Sequence, residues 1–135
     1  MPCPFFEPQH PVEHRTHVNA RLPLIVEYSG VCHARRDAPV PAPEDMRVGC
    51  NHGYSRDECT HFPLESSAAA LRYSVLGRDG AVLDLLCIEE SGYAPIRWHT
   101  LRYVAATDAL EPQVTSKCMN AQALAFCRSY LNVDK

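Results

Sequence analysis

Two cysteines bracket a polar, turn-rich stretch, Cys50-Asn51-His52-Gly53-Tyr54-Ser55-Arg56-Asp57-Glu58-Cys59, with His52 and His61 close to them. A segment of this composition buries no apolar area, so thiols at its two ends need a reason other than packing. Thiolates are soft metal ligands, and two more thiols stand in comparable settings: Cys3 between Pro2 and Pro4, and Cys32 just after Ser29-Gly30. Together Cys3, Cys32, Cys50 and Cys59 form a set of four, the coordination number of a structural zinc site and of a cubane iron–sulfur cluster.

Spacing separates these two chemistries. Zinc sites built from short loops show close pairs of ligands, commonly Cys-x2-Cys, and this chain has none. A cluster is larger than one ion and accepts ligands dispersed along the chain; Cys3-Pro4 shares the Cys-Pro dipeptide that ends bacterial ferredoxin runs. The spacing therefore favours a 4Fe-4S cluster over zinc. His33, His52 and His61 keep a mixed Cys/His zinc site open. Around either centre, His33, His52, Arg56 and His61 are candidates for hydrogen bonds and positive potential at the sulfurs. The other thiols read differently. Cys87 lies on the apolar face of a strand, Cys127 on the apolar stripe of a helix, and Cys118 on the flank of that helix, so none of the three is expected to affect metal content.

The elements that must position these groups divide the chain. Residues 1–63 are rich in proline and poor in periodicity: Pro2, Pro4, Pro8 and Pro11 are expected to block regular structure, Leu22–Tyr28 reads as one short strand stopped by Ser29-Gly30, and 36–47 is a connector. In residues 64–135 the segments 71–77, 81–89 and 96–105 read as three strands, and Thr115 or Ser116 can cap a final helix to about Asn132. A bulged three-residue turn at Arg78-Asp79-Gly80 would pair Val75 with Leu83 and Tyr73 with Leu85 on one apolar face. Neither face of the third strand is clean, which leaves His99 open as a core, exposed or centre-proximal histidine. The expected architecture is α+β and a single domain over 1–135: a loop-rich, metal-binding N-terminal half, then a three-stranded antiparallel meander covered by the C-terminal helix.

Cys-Pro-Phe-Phe-Glu-Pro at 3–8, Gly-Val-Cys-His-Ala at 30–34 and Cys-Asn-x-Gly-Tyr-x-Arg-x-x-Cys-x-x-Phe-Pro at 50–63 resemble a set of small uncharacterised bacterial proteins that share these blocks, followed by a β-rich half and a last helix. The resemblance implies that Cys3, Cys32, Cys50 and Cys59 belong to one site. It brings no activity with it.

Global composition narrows the rest. At 135 residues and a net charge of −3, with no block of like charge, the chain gives no strong nucleic-acid signal. Met-Pro-Cys-Pro-Phe-Phe is no basic region followed by a long apolar run, and no stretch approaches a membrane span, so no secretory leader and a cytoplasmic protein are expected, in which seven cysteines stay reduced. Eleven of its thirteen basic residues are Arg, and Arg35, Arg36 and Arg56 near the thiols suit a small anion, although solvated arginines are the ordinary outcome. Three functions fit: a metalloprotein carrying or sensing electrons with a redox or protein partner, a zinc-stabilised protein-interaction module, and a cluster- or thiol-dependent enzyme with His33, His52 or His61 as base.

Overall fold

The computed structural model describes residues 3–11, 24–25, 28–34, 39–41, 50–51, 70–91, 94–112, 114 and 116–133. They form an α+β fold with two antiparallel sheets and one helix. The larger sheet has four strands, not three. It runs β4 (Ala70–Asp79), β5 (Val82–Ser91), β6 (Ala94–Val104) and β7 (Ala109–Glu111), in that order. The additional strand pairs Leu110 with Tyr103 and buries Leu110.

The β4–β5 turn also differs from expectation. Asp79 pairs with Val82, leaving Gly80 and Ala81 as a two-residue turn with Gly80 at φ 60°. Continued straight, that register would set Val75 against Leu86 and turn the apolar face of β4 toward the polar face of β5. A bulge at Leu76 corrects it: beyond the bulge Val75 pairs with Leu85 and Tyr73 with Cys87. The set expected on the core face is unchanged, but its irregularity sits in the strand and not in the turn. On β6, Leu101 and Tyr103 are buried while Ile96, Trp98, Thr100 and Arg102 face out. His99 is half-buried opposite Cys87.

The first half is less loop-like than its prolines suggest. β1 (Phe6–Pro11), β2 (Tyr28–Cys32) and β3 (Val40–Pro41) form a second sheet in that order. Proline is tolerated because β1 is an edge strand, with a register shift between Pro8 and His10. Ser29-Gly30 continues the strand it was expected to stop. Gly30 is required there by close approach, since a Cβ at this position would lie 2.0 Å from the Glu7 carbonyl oxygen. Gly30→Ala is therefore expected to push β1 off β2 and to cost about 3 kcal/mol, measured by urea denaturation; an unchanged midpoint would contradict the close approach.

One helix, α1 (Lys117–Val133), joins the two sheets. Ser116 caps it: its Oγ accepts from Met119 N and its carbonyl from Asn120 N. Toward the large sheet α1 presents Ala123, Phe126 and Cys127, with Phe126 stacked on Tyr73 at 5.6 Å. A second face meets the small sheet, where the Tyr28 hydroxyl donates to Ala125 O and bonds Ser129 Oγ. Burial on two sides is why Cys118, expected on an open flank, is only 8% exposed. Phe6, Leu24 and Tyr28 share one hydrophobic cluster with Leu83, Leu85 and Phe126.

Candidate functional site

The start of β1 brings together the backbones of three of the four cysteines singled out by sequence. Cys3 opens a turn closed by Phe6 N donating to Cys3 O at 3.0 Å, a conformation that Pro4 pre-sets. Its own N–H donates to Cys50 O at 2.9 Å, so the two cysteines, distant in sequence, touch through their backbones. Cys32 is the last residue of β2 and pairs with Phe6, three residues from Cys3. His33 N adds a bond to Phe5 O at 2.9 Å, which fixes the strand end beside the Cys3 turn. All three cysteines are half-buried.

Two buried amides hold this arrangement, and sequence reasoning singled out neither. Asn51 is fully buried and clamps β2 from both sides of one residue: its Oδ1 accepts from Tyr28 N at 2.7 Å and its Nδ2 donates to Tyr28 O at 2.9 Å. Cys50 is thereby anchored through its neighbour. Gln122 of α1 is also fully buried, and its Nε2 donates to Cys3 O at 2.7 Å and to Phe6 O at 2.8 Å. The clue to Asn51 was its position beside Cys50 in a stretch already marked. Gln122 carried no clue beyond being a polar residue inside an apolar stripe.

Cys118 stands one helical turn before Gln122, hence on the same side of α1. Burial first, then the nearby Glu7 and Cys32, push its thiol up to about 11, with Lys117 opposing. Glu7 also hydrogen-bonds His33 Nε2 at 2.7 Å. His33, which follows Cys32 in sequence, is thus an oriented ring. Cys87 and Cys127 lie in the core, fully buried, as their strand and helix positions suggested. Burial is the main cause that pushes each of them to about 12.

Cys59, His52, Arg56, His61, Arg35 and Arg36 lie outside the described residues. Among the described residues no three Cys, His, Asp or Glu side chains already converge closely enough to hold an ion. What the described residues show is backbone proximity of Cys3, Cys50 and Cys32. Cys32, Cys87, Cys118 and Cys127 carry free thiols.

A second surface feature lies on the outer face of the large sheet. Trp98 is 71% exposed and Ile96 50%, beside Leu86 and Ile88, in a shallow groove of about 590 Å³ flanked by Arg72 and Arg97. Among the described residues no helix is long and apolar enough to cross a membrane. Compared with protein-family models, curated proteins and solved structures, the chain matches none.

Proposed function

We propose that this is a small metal-binding protein whose centre is held by Cys3, Cys32, Cys50 and Cys59, carrying a 4Fe-4S cluster with an electron-transfer or redox-sensing role. The observation that carries the reading is the Cys3–Cys50 backbone bond with Cys32 across from Phe6. Cys59 is separated from Cys50 by only eight residues. The donor chemistry fits, since thiolates are the ligands of both clusters and structural zinc. A bound cluster would supply a one-electron change at iron. The chain's own contribution is to hold the sulfurs through Asn51 and Gln122 and to set their potential through nearby amides, with Arg56 as a source of positive charge.

The test is metal and sulfide analysis of protein purified without oxygen. Brown protein with iron and sulfide is expected, and single replacement of Cys3, Cys32, Cys50 or Cys59 by serine is expected to lower metal content about tenfold or more. Cys87→Ser and Cys127→Ser should leave it unchanged. Metal-free wild type, or four serine variants that all keep their metal, would overturn the reading. One observation favours a second reading, a zinc-stabilised interaction module: the exposed Trp98 and Ile96 are unusual for a face with no binding role. Colourless protein with stoichiometric zinc would select it.

A further inference from the structure

We propose that the outer face of the large sheet is the interface of a two-fold dimer with a second copy of this chain, in which Trp98 of each copy packs on Arg72 of the other. The inference does not depend on the metal at the cysteines. The helix covers the inner face of the sheet. The outer face is left with apolar side chains that no other described residue covers: Trp98 is 71% exposed, Leu76 59% and Ile96 50%, and Leu86 and Ile88 on the central strand are half-buried. Four of these five line one groove of about 590 Å³, so they form a patch and not a scatter of single exposed residues.

The strand register says what fits there. Arg72, Ile88 and Trp98 form one row across β4, β5 and β6, and Ser74, Leu86 and Thr100 form the next. A two-fold axis along β5, in the plane between two such faces, keeps each row opposite itself and exchanges β4 with β6. Ile88 and Leu86 then meet their own copies, Ser74 meets Thr100, and the Arg72 guanidinium lies over the partner's Trp98, twice in each dimer. An arginine on a tryptophan ring is a favourable cation–π pair, more so once water is removed. Charge also favours a second copy over a foreign partner. Arg72 Nε lies 3.7 Å from Glu90 Oε1, Arg97 Nε 2.8 Å from Glu89 Oε2 and Arg102 Nε 3.4 Å from Asp84 Oδ1. A face so balanced offers no single sign of charge to recruit an acidic or a basic partner, and none to repel its own copy. Its extent is adequate. Three strands of ten or eleven residues make a face of about 500 Å² in plan, and side-chain relief brings the accessible area toward the about 800 Å² per partner that a stable complex buries.

The test is sedimentation of the full-length protein with reductant, over about a thousandfold range of concentration reaching about 1 mM. Trp98 is the one tryptophan of the chain, so its fluorescence reports on this face alone. A monomer–dimer equilibrium is expected, with Trp98 emission moving to shorter wavelength as the dimer forms. Arg72→Gln and Trp98→Ser, both at exposed positions, are expected to keep the wild-type far-ultraviolet circular dichroism and to weaken the dimer about tenfold or more. A protein that stays monomeric up to the highest concentration would overturn the inference. So would a dimer whose Trp98 emission is the same as the monomer's, or one that both variants leave at wild-type strength. A monomer whose Trp98 emission shifts only when another protein is added would give the face to a foreign partner and equally overturn it. Should Arg72→Gln fail to fold for want of a partner to Glu90, Trp98→Ser and the wild-type emission still decide.

Discussion

Asn51→Ala is expected to lower the unfolding free energy by about 2–4 kcal/mol, because it strands two buried backbone groups at once. The amide closes a two-bond ring with the N–H and C=O of Tyr28, and no water-facing route exists at a residue with 0% exposure. Deleting it leaves a donor and an acceptor unpaired at the start of β2, together with a small cavity. Asn51→Asp separates hydrogen bonding from volume. It keeps the acceptor for Tyr28 N, replaces the donor to Tyr28 O by a second oxygen, and buries a carboxylate, so it should be at least as damaging as alanine. Asn51→Leu fills the space without either bond and should also fail to rescue. Urea denaturation gives the free energies. In metal-loaded protein all three variants should lose metal as well, since Asn51 adjoins Cys50 and Cys50 O receives the Cys3 N–H. A loss under about 0.5 kcal/mol for Asn51→Ala would mean that the clamp contributes nothing measurable.

The parts of the fold legible in the sequence were those set by a strong local period. The β4 and β5 faces, the helix and its Ser116 cap, and the core positions of Cys87 and Cys127 follow from alternation, from a four-residue repeat and from a hydroxyl placed before an apolar run. What was not legible depended on partners distant in sequence. Nothing near Pro8 says that β1 will be an edge strand, which is what lets a proline-rich segment pair, and nothing near Gly30 says that Glu7 O will press against it. The Leu76 bulge is invisible from either strand alone, because it corrects a mismatch that exists only once Gly80-Ala81 has been chosen as the turn.

The same division holds at the site. Cys3, Cys32 and Cys50 announced themselves through residue type and irregular surroundings. Gln122 did not, being a polar residue inside an apolar stripe with no mark of its own. The second sheet and the turn before it supply the carbonyls that it holds. A helix packed on two sides needs polar anchors on the side where it meets strand ends, and Gln122 is such an anchor: it donates to the Phe6 carbonyl at the start of β1 and adds a second bond to the Cys3 carbonyl, which already accepts from Phe6 N.

Raising the pH above about 9 is expected to unfold the protein progressively, with Cys87 and Cys127 as the largest contributors. Both thiols are fully buried, and burial pushes each from 9.0 to about 12, with Glu89 adding to the shift of Cys87, and Cys87 and Asp108 to that of Cys127. The folded chain therefore holds these protons more tightly than the unfolded chain does. Their contribution is fully present below pH 9 and is lost between about 9 and 12, as the unfolded state alone sheds the protons. Each thiol gives a slope of about 1.4 kcal/mol per pH unit, so the pair removes up to about 5 kcal/mol by pH 11, comparable with the whole stability of a small domain. Tyr103, pushed up to about 12 by burial and by its bond to Asp108, steepens the fall at the upper end. Urea denaturation with reductant at pH 8, 9, 10 and 11 should give a flat stability at the first two values and a steep decline at the others. Cys127→Val removes one of three raised thiols, Cys118 being the third, with little change of volume and should cut the early slope by about a third, even if its stability at pH 8 is lower. Equal slopes in wild type and variant would remove the buried thiols as the cause and leave the tyrosines to account for any alkaline loss.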